Sequence, residues 1–167
     1  QLALTVVRRN AKRQGGQSLK GDGTLREAAR KALPFTLTLS QETALSEIFA
    51  DMESPQRMLR LLQGDVGSGK TVVALMAMLN AVECGGQAAL MAPTEILARQ
   101  HFETIAPIVA KLGLKCVVLT GRDKGAARKE ILAAIAEGRA ALAIGTHALF
   151  QEEVTFRDLK LAVIDEQ

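Results

Sequence analysis

Short apolar runs alternate with longer amphipathic stretches along most of the chain. Five runs read as strands, at residues 59–63, 88–92, 116–120, 141–145 and 161–164. Four stretches beside them have helical spacing, at residues 38–52, 70–82, 95–111 and 124–136. The short runs are apolar on both faces, as strands covered by helices on both sides must be. This alternation predicts an α/β fold with a mainly parallel sheet, helices on both faces and right-handed crossovers.

Two further helices are predicted ahead of this pattern, at residues 2–14 and 25–33. Gly15 follows the first, as glycine often follows a helix end, and Pro34 stops the second. The first helix ends in a basic cluster made of Arg8, Arg9, Lys12 and Arg13. This cluster is compatible with a nucleic-acid backbone, but a solvated helix face or a linker is the interpretation that we favour.

Composition narrows the class of protein. The chain has 167 residues, of which 48% are apolar and 23% charged, the balance of a globular domain. The absence of Trp and Tyr disfavours recognition of single strands by base stacking, and a net charge of +3 permits phosphate contact without demanding it. Cys84 and Cys116 have no CxxC partner and are predicted to be reduced core cysteines. Because no apolar run reaches about 18 residues and no signal pattern opens the chain, we expect a cytoplasmic protein without membrane contact.

A complete phosphate-loop pattern, GxxxxGK[ST], follows the first predicted strand and precedes a helix. Glycines let backbone N–H groups turn inward around phosphate oxygens, and the positive end of the helix faces the same anion. Lys70 can reach the β and γ phosphates, and the Thr71 hydroxyl can coordinate Mg²⁺. The predicted nucleotide-binding residues of this loop are Gly64, Asp65, Val66, Gly67, Ser68, Gly69, Lys70 and Thr71. A glycine-rich turn with an incidental lysine is the disfavoured alternative.

An acidic pair, Asp165 and Glu166, follows the last predicted strand. Acidic residues after a strand often only cap a turn, but here they follow a phosphate loop in the order found in nucleotide hydrolases. Asp165 would hold the Mg²⁺ shell, and Glu166 would orient or deprotonate the attacking water. The sequence therefore predicts a Walker B strand, with Lys70, Asp165 and Glu166 as catalytic residues and with ATP and Mg²⁺ as cofactors.

Gln41 supports two interpretations. Thr38 and Gln41 have the spacing of a capping box, which is the reading that local physics favours. Gln41 also lies upstream of the phosphate loop and is preceded by Phe35, which is the form of the Q motif that grips adenine in many helicases. We therefore expect Gln41 and Phe35 to contact the nucleotide, with the capping box as the alternative.

These stretches together resemble superfamily 2 DNA helicases, and among them the RecG family of branch-migration helicases. The matching segments are residues 33–38, 64–71, 92–101, 119–121, 145–151 and 164–167. The transcription-repair coupling factor and the primosomal helicase, which are related translocases, share several of them. The resemblance implies a RecA-like P-loop NTPase motor domain at residues 34–167, truncated after the Walker B strand. It also implies that residues 1–33 are linker helices from an upstream wedge domain.

The resemblance implies DNA contacts at Thr94, Thr120, Gly121 and Thr146. All four lie at the carboxyl ends of predicted strands, where an open parallel sheet places its ligands. Hydroxyls and loop N–H groups suit the sugar-phosphate backbone without reading base sequence, although each threonine could instead cap a helix or a turn. His101 is interpreted as a helix-surface residue, and His147 is left without a role.

The function that the resemblance implies is that of a bacterial ATP-dependent DNA helicase that remodels branched DNA near the nucleoid. Its partners would be branched DNA, a second RecA-like domain and the wedge domain of the same chain. The 167 residues alone are expected to bind nucleotide but to hydrolyse it negligibly. Two alternatives remain: a P-loop kinase or metabolic ATPase that does not act on DNA, and a binding domain that has lost turnover.

Overall fold

The computed structural model describes residues 15–63 and 69–165, and these form one mainly parallel α/β layer structure. The helices are α1 (Thr24–Ala32), α2 (Leu39–Glu53), α3 (Lys70–Glu83), α4 (Glu95–Lys111) and α5 (Gly125–Ala136). The strands are β1 (Gln87–Met91), β2 (Lys115–Leu119), β3 (Ala140–Gly145) and β4 (Leu159–Ile164). A 3₁₀ turn at His147–Phe150 follows β3. The predicted helix at residues 2–14 lies outside the described residues.

The four strands pair in the order β2-β3-β1-β4, and every pair is parallel. β1 and β3 are central and almost fully buried, because apolar side chains on both of their faces meet helices. α3 packs on β1 and β4, whereas α4 packs on β2 and β3. The predicted fold class is confirmed, since helices and parallel strands alternate as the hydrophobic pattern indicates.

The predicted strand at residues 59–63 is wrong. These residues form no ladder with any strand of the described part of the chain, and Leu59 and Leu61 are 47% and 61% exposed. A strand needs a partner backbone for its N–H and C=O groups, and an apolar run carries no information about that partner. The described sheet therefore has four strands where the sequence predicts five.

Residues 15–33 pack on the same core as the rest of the described chain. Asn80 Nδ2 donates to the carbonyl oxygen of Leu19 at 3.0 Å, and Leu19 N donates to that of Met52 at 2.7 Å. Arg26 forms an ion pair of 3.1 Å with Glu83, whose side chain is only 1% exposed. Residues 15–33 therefore share a core with the residues that follow them, and the boundary after residue 33 stays a prediction. Within residues 15–63 and 69–165, no helix has the length and apolar character to cross a bilayer.

Candidate functional site

The carboxyl ends of all four strands lie at one edge of the sheet and at the same level. The last paired residues of β2, β3, β1 and β4 are Leu119, Gly145, Met91 and Ile164. The residues that follow them are Thr120, Thr146, Ala92 and Asp165. Backbone hydrogen bonds continue into this row, since Ala92 N donates to Gly145 O at 2.8 Å and Asp165 N donates to Met91 O at 2.8 Å. Parallel pairing thus places the predicted DNA-contact positions and the predicted magnesium ligand along one edge.

The end of the phosphate loop is the amino-terminal cap of α3. Gly69 has a φ of 79°, in the left-handed region, and its carbonyl oxygen accepts a hydrogen bond of 3.4 Å from Val73 N. Lys70 and Thr71 are the first two residues of α3, so both side chains stand at the positive end of its dipole. Residues 64–68 of the predicted loop lie outside the described residues.

Gln41 forms the capping box that is one of its two predicted interpretations, and its contact with the nucleotide stays a prediction. Its Oε1 accepts a hydrogen bond from Thr38 N at 2.8 Å, and its backbone N donates to Thr38 Oγ1 at 3.2 Å, which completes the capping box of α2. Its Nε2 also donates to the carbonyl oxygen of Gly69 at 3.5 Å. The side chain is buried, and a Cβ added to Gly69 would collide with it. Gln41 therefore supports the end of the phosphate loop as well as the start of α2.

Phe35 lies beside the first turn of α3. It is 51% exposed and lines a cavity of about 320 Å³ together with Leu33, Thr71, Leu75 and Ile108. The aromatic ring and Thr71 thus face the same mainly apolar space. Such a space suits the flat apolar surface of a nucleotide base, whose polar groups lie on its edges.

The interpretation of His101 as a helix-surface residue is wrong. Its Nε2 lies 2.8 Å from Oδ2 of Asp165, and the two side chains are 15% and 20% exposed. The residues are 64 positions apart in the sequence, and their contact joins α4 to the residue that follows β4. Sequence reasoning misses this contact because periodicity assigns His101 to a helix but gives no information about what that helix faces.

Asp165 and Thr71 can serve as ligands to Mg²⁺. Both supply oxygen donors, which this hard cation prefers. The described part of the chain gives Oδ1 of Asp165 no hydrogen-bond partner, so that oxygen can meet a cation or its water shell. No group of three His, Cys, Asp or Glu side chains is gathered in the described ranges. Glu166 lies outside the described residues.

Thr94 and Thr146 open short segments at the carboxyl edge. Thr94 is the amino-terminal cap of α4, is exposed, and its Oγ1 accepts a hydrogen bond from Leu97 N at 3.2 Å. Thr146 precedes the 3₁₀ turn, is half-buried, and its hydroxyl has no hydrogen-bond partner within residues 15–63 and 69–165. The Thr146 hydroxyl can therefore donate a hydrogen bond to an acceptor on a ligand.

Thr120 is fully buried, with an exposure of 0%. Its Oγ1 donates to Oδ2 of Asp123 at 3.2 Å and lies 3.3 Å from Nη2 of Arg99, while Oδ2 of Asp123 also accepts from Thr120 N at 2.7 Å. These bonds tie a turn that presents Gly121 and Arg122 at the surface. Thr120 thus stabilises the loop, and its hydroxyl is already used in hydrogen bonds. The sequence signal for this turn is the Thr-x-x-Asp spacing, which allows the Asp side chain to bond back to the Thr.

Comparisons with known proteins agree with this geometry. The DEAD/DEAH box helicase family matches residues 38–167. The ATP-dependent DNA helicase RecG of Escherichia coli K12 is 46% identical over 166 residues, covering 99% of this chain and 24% of the relative. RecG of Streptococcus pneumoniae is 56% identical over 140 residues, covering 84% of this chain and 21% of the relative. A solved structure, "Structure of RecG bound to three-way DNA junction", superposes with a TM-score of 0.90 at 44% identity.

The match covers 99% of this chain and 23% of the chain in that structure. The chain therefore spans about a quarter of the length of these relatives. The resemblance to superfamily 2 helicases and to RecG is confirmed, and so is the RecA-like fold. The family match, together with the fold, shows that this chain belongs to the DEAD/DEAH box helicase family.

Proposed function

We propose that the chain is the ATP-binding motor part of an ATP-dependent DNA helicase that remodels branched DNA. The observation that carries the proposal is the row of residues at the carboxyl edge of the sheet, where Thr120, Thr146 and Asp165 follow paired strand ends at one level. The residue assigned to magnesium and two of the loops assigned to DNA thus follow strand ends along one edge of the sheet. The relatives named RecG, and the RecG structure bound to a three-way DNA junction, support the choice of DNA and of branched substrates.

Nucleotide binding is assigned to the loop at residues 64–71 and to the two side chains beside it. Lys70 contacts the β and γ phosphates from the first turn of α3, and the helix dipole favours the same anion. Gln41 holds Gly69 and contacts adenine together with Phe35 at the rim of its cavity. Thr71 and Asp165 hold Mg²⁺, which when bound neutralises charge on the phosphoryl group. Glu166 orients the attacking water.

DNA contact is assigned to the loops after β1, β2 and β3. Thr94 and Thr146 offer hydroxyls, and Gly121 offers a backbone N–H on the exposed turn that Thr120 holds. Hydroxyl and N–H groups position a sugar-phosphate backbone without reading its sequence. Binding is therefore indifferent to sequence and depends on salt.

Turnover requires a second RecA-like domain in the full-length protein. An arginine that faces the γ-phosphoryl group is worth about 10³–10⁵ in rate. Three candidate arginines of this chain already have acidic partners: Arg99 pairs with Asp123, Arg122 with Glu95, and Arg128 with Glu153. We assign the catalytic arginine to the second domain and the separation of the DNA strands to a wedge domain. We place this activity in the bacterial cytoplasm.

The test is the ATPase rate of the full-length protein with no DNA, with linear duplex and with a three-way junction. We expect the junction to stimulate hydrolysis most, Glu166→Gln to abolish the stimulated rate, and Glu152→Gln, which removes an exposed carboxylate, to preserve it. A rate that no DNA changes would instead favour a P-loop kinase or a metabolic ATPase. Nucleotide binding without any hydrolysis would favour a binding domain.

A further inference from the structure

In the hydrogen bond between His101 and Asp165, the histidine is the donor and the carboxylate is the acceptor. An ionised Asp side chain only accepts hydrogen bonds, so Nε2 of His101 carries the proton and donates it across the 2.8 Å to Oδ2. A hydrogen bond to a charged acceptor in a mostly buried place is stronger than one between neutral groups. The two side chains are 15% and 20% exposed, so little water competes for this bond. The bond therefore fixes the orientation of the carboxylate.

The backbone of Asp165 is held independently of its side chain. Asp165 N donates to Met91 O at 2.8 Å, which extends the pairing of β1 and β4 by one residue. With the backbone fixed, side-chain rotation decides which oxygen faces the nucleotide site. His101 occupies Oδ2, and Oδ1 has no partner in the described part of the chain. His101 thus selects the oxygen that is left for a cation.

His101 is itself rigidly placed by α4. It lies two helical turns after Thr94, which caps the helix, so the distance between them along the axis is about 10 Å. The same helix is fixed to the loop after β2, because Glu95 pairs with Arg122 at 2.6 Å and Arg99 lies 3.6 Å from Asp123. The imidazole is therefore part of a fixed frame and not a mobile surface group.

We propose that His101 is a positioning residue for Asp165, which holds the carboxylate in the orientation that binds Mg²⁺ at the nucleotide site. The proposal rests on the proposed function, because it assigns Asp165 to magnesium. Partners that orient a metal ligand typically contribute about 10- to 100-fold to metal affinity. Loss of His101 should weaken the magnesium dependence of nucleotide binding while leaving binding without magnesium unchanged.

The experiment measures the affinity of the full-length protein for fluorescent ADP across a Mg²⁺ titration and in EDTA. We expect His101→Leu to raise the Mg²⁺ concentration at half effect about 10-fold. His101→Gln, whose Nε2 stands the same number of bonds from Cβ, should restore most of the wild-type value. Gln100→Ala, an exposed neighbour on α4, serves as the control and should match the wild type. Should His101→Leu fail to fold, His101→Asn, which is too short to reach Asp165, replaces it with the same expected defect.

Three outcomes would overturn the proposal. The first is an unchanged Mg²⁺ dependence in the folded His101→Leu or His101→Asn variant. The second is a defect that His101→Gln does not relieve, and the third is an equal loss of affinity in EDTA, which would indicate a merely structural role. A wild-type protein that binds no ADP at any Mg²⁺ concentration would instead contradict the proposed function, so the two failures are distinguishable.

Discussion

Gln41 donates a hydrogen bond from Nε2 to the carbonyl oxygen of Gly69, 3.5 Å away, and so joins the start of α2 to the end of the phosphate loop. The same side chain closes the capping box with Thr38. One buried amide therefore serves a helix end and a loop end, and substitutions can separate these two roles.

Thr38→Ala and Gln41→Ala should differ in their effect on nucleotide binding. Both remove capping bonds of α2 and should lower the free energy of unfolding by about 1 kcal/mol. Gln41→Ala also removes the support of Gly69 and should weaken ATP binding several-fold, whereas Thr38→Ala should leave it nearly unchanged. Chemical unfolding together with calorimetry of ATP binding checks both effects. Equal ATP affinity in the two variants would show that Gln41 acts only as a cap.

Gly69→Ala tests whether the loop end requires glycine for space as well as for its dihedral angle. Gly69 and Gly85 have φ values of 79° and 85°, so alanine costs about 1 kcal/mol of backbone strain at either site. A Cβ at Gly69 also meets Gln41, but a Cβ at Gly85 has no heavy atom within 4 Å. We expect Gly69→Ala to lose nucleotide binding and more stability than Gly85→Ala, as measured by calorimetry and thermal unfolding. Matching losses in both variants would contradict the packing role of Gln41.

Thr146→Val and Thr120→Val should have opposite consequences. Thr146 has a half-buried hydroxyl without a partner in the described ranges, so its loss should weaken junction binding a few-fold without lowering stability. Thr120 is buried and bonded to Asp123, so its loss should cost about 1–3 kcal/mol of stability. Junction titrations at two salt concentrations and thermal unfolding separate the two effects. A purely DNA-binding defect in Thr120→Val would contradict the burial of that hydroxyl.

Cys116 should be unreactive in the folded protein. Burial raises the pKa of the Cys116 thiol to about 12, so about 10⁻⁴ of it is thiolate at pH 8 and its labelling rate should rise about tenfold per pH unit. Burial also raises the pKa of Cys84, but the charge of Lys160 opposes that rise, so Cys84 should react sooner. Labelling with an aromatic disulfide at pH 8, followed by peptide mass mapping, measures both. Faster labelling of Cys116 than of Cys84 in the native state would contradict the raised pKa of the Cys116 thiol.

The sequence predicts elements whose determinants are local. The helix at 95–111 is found at Glu95–Lys111, because Thr94 supplies its cap and Gly113 follows its end. The phosphate-loop residues from Gly69 onward fall where the glycine-rich pattern before a helix places them, at the start of α3. These features depend on neighbours within a few residues, which the printed sequence contains.

Features that depend on distant partners were not predictable from the sequence. Leu59 and Leu61 form an apolar run, but the missing strand partner leaves both exposed. His101 on α4 meets Asp165, which follows β4, and this contact depends on a strand order that hydrophobic periodicity does not encode. The hydrogen bond that Thr120 accepts from Arg99 likewise joins two separate elements.

The most direct test of the central claim is the affinity for Mg-ATP of the wild type and of Lys70→Ala, measured by calorimetry. A direct charge-assisted phosphate contact is worth about 1.5–3 kcal/mol, so the variant should bind roughly 10- to 100-fold more weakly. Lys129→Ala removes the same charge from an exposed position on α5 and should bind like the wild type. Equal affinity in Lys70→Ala and the wild type would contradict the assignment of this loop to ATP.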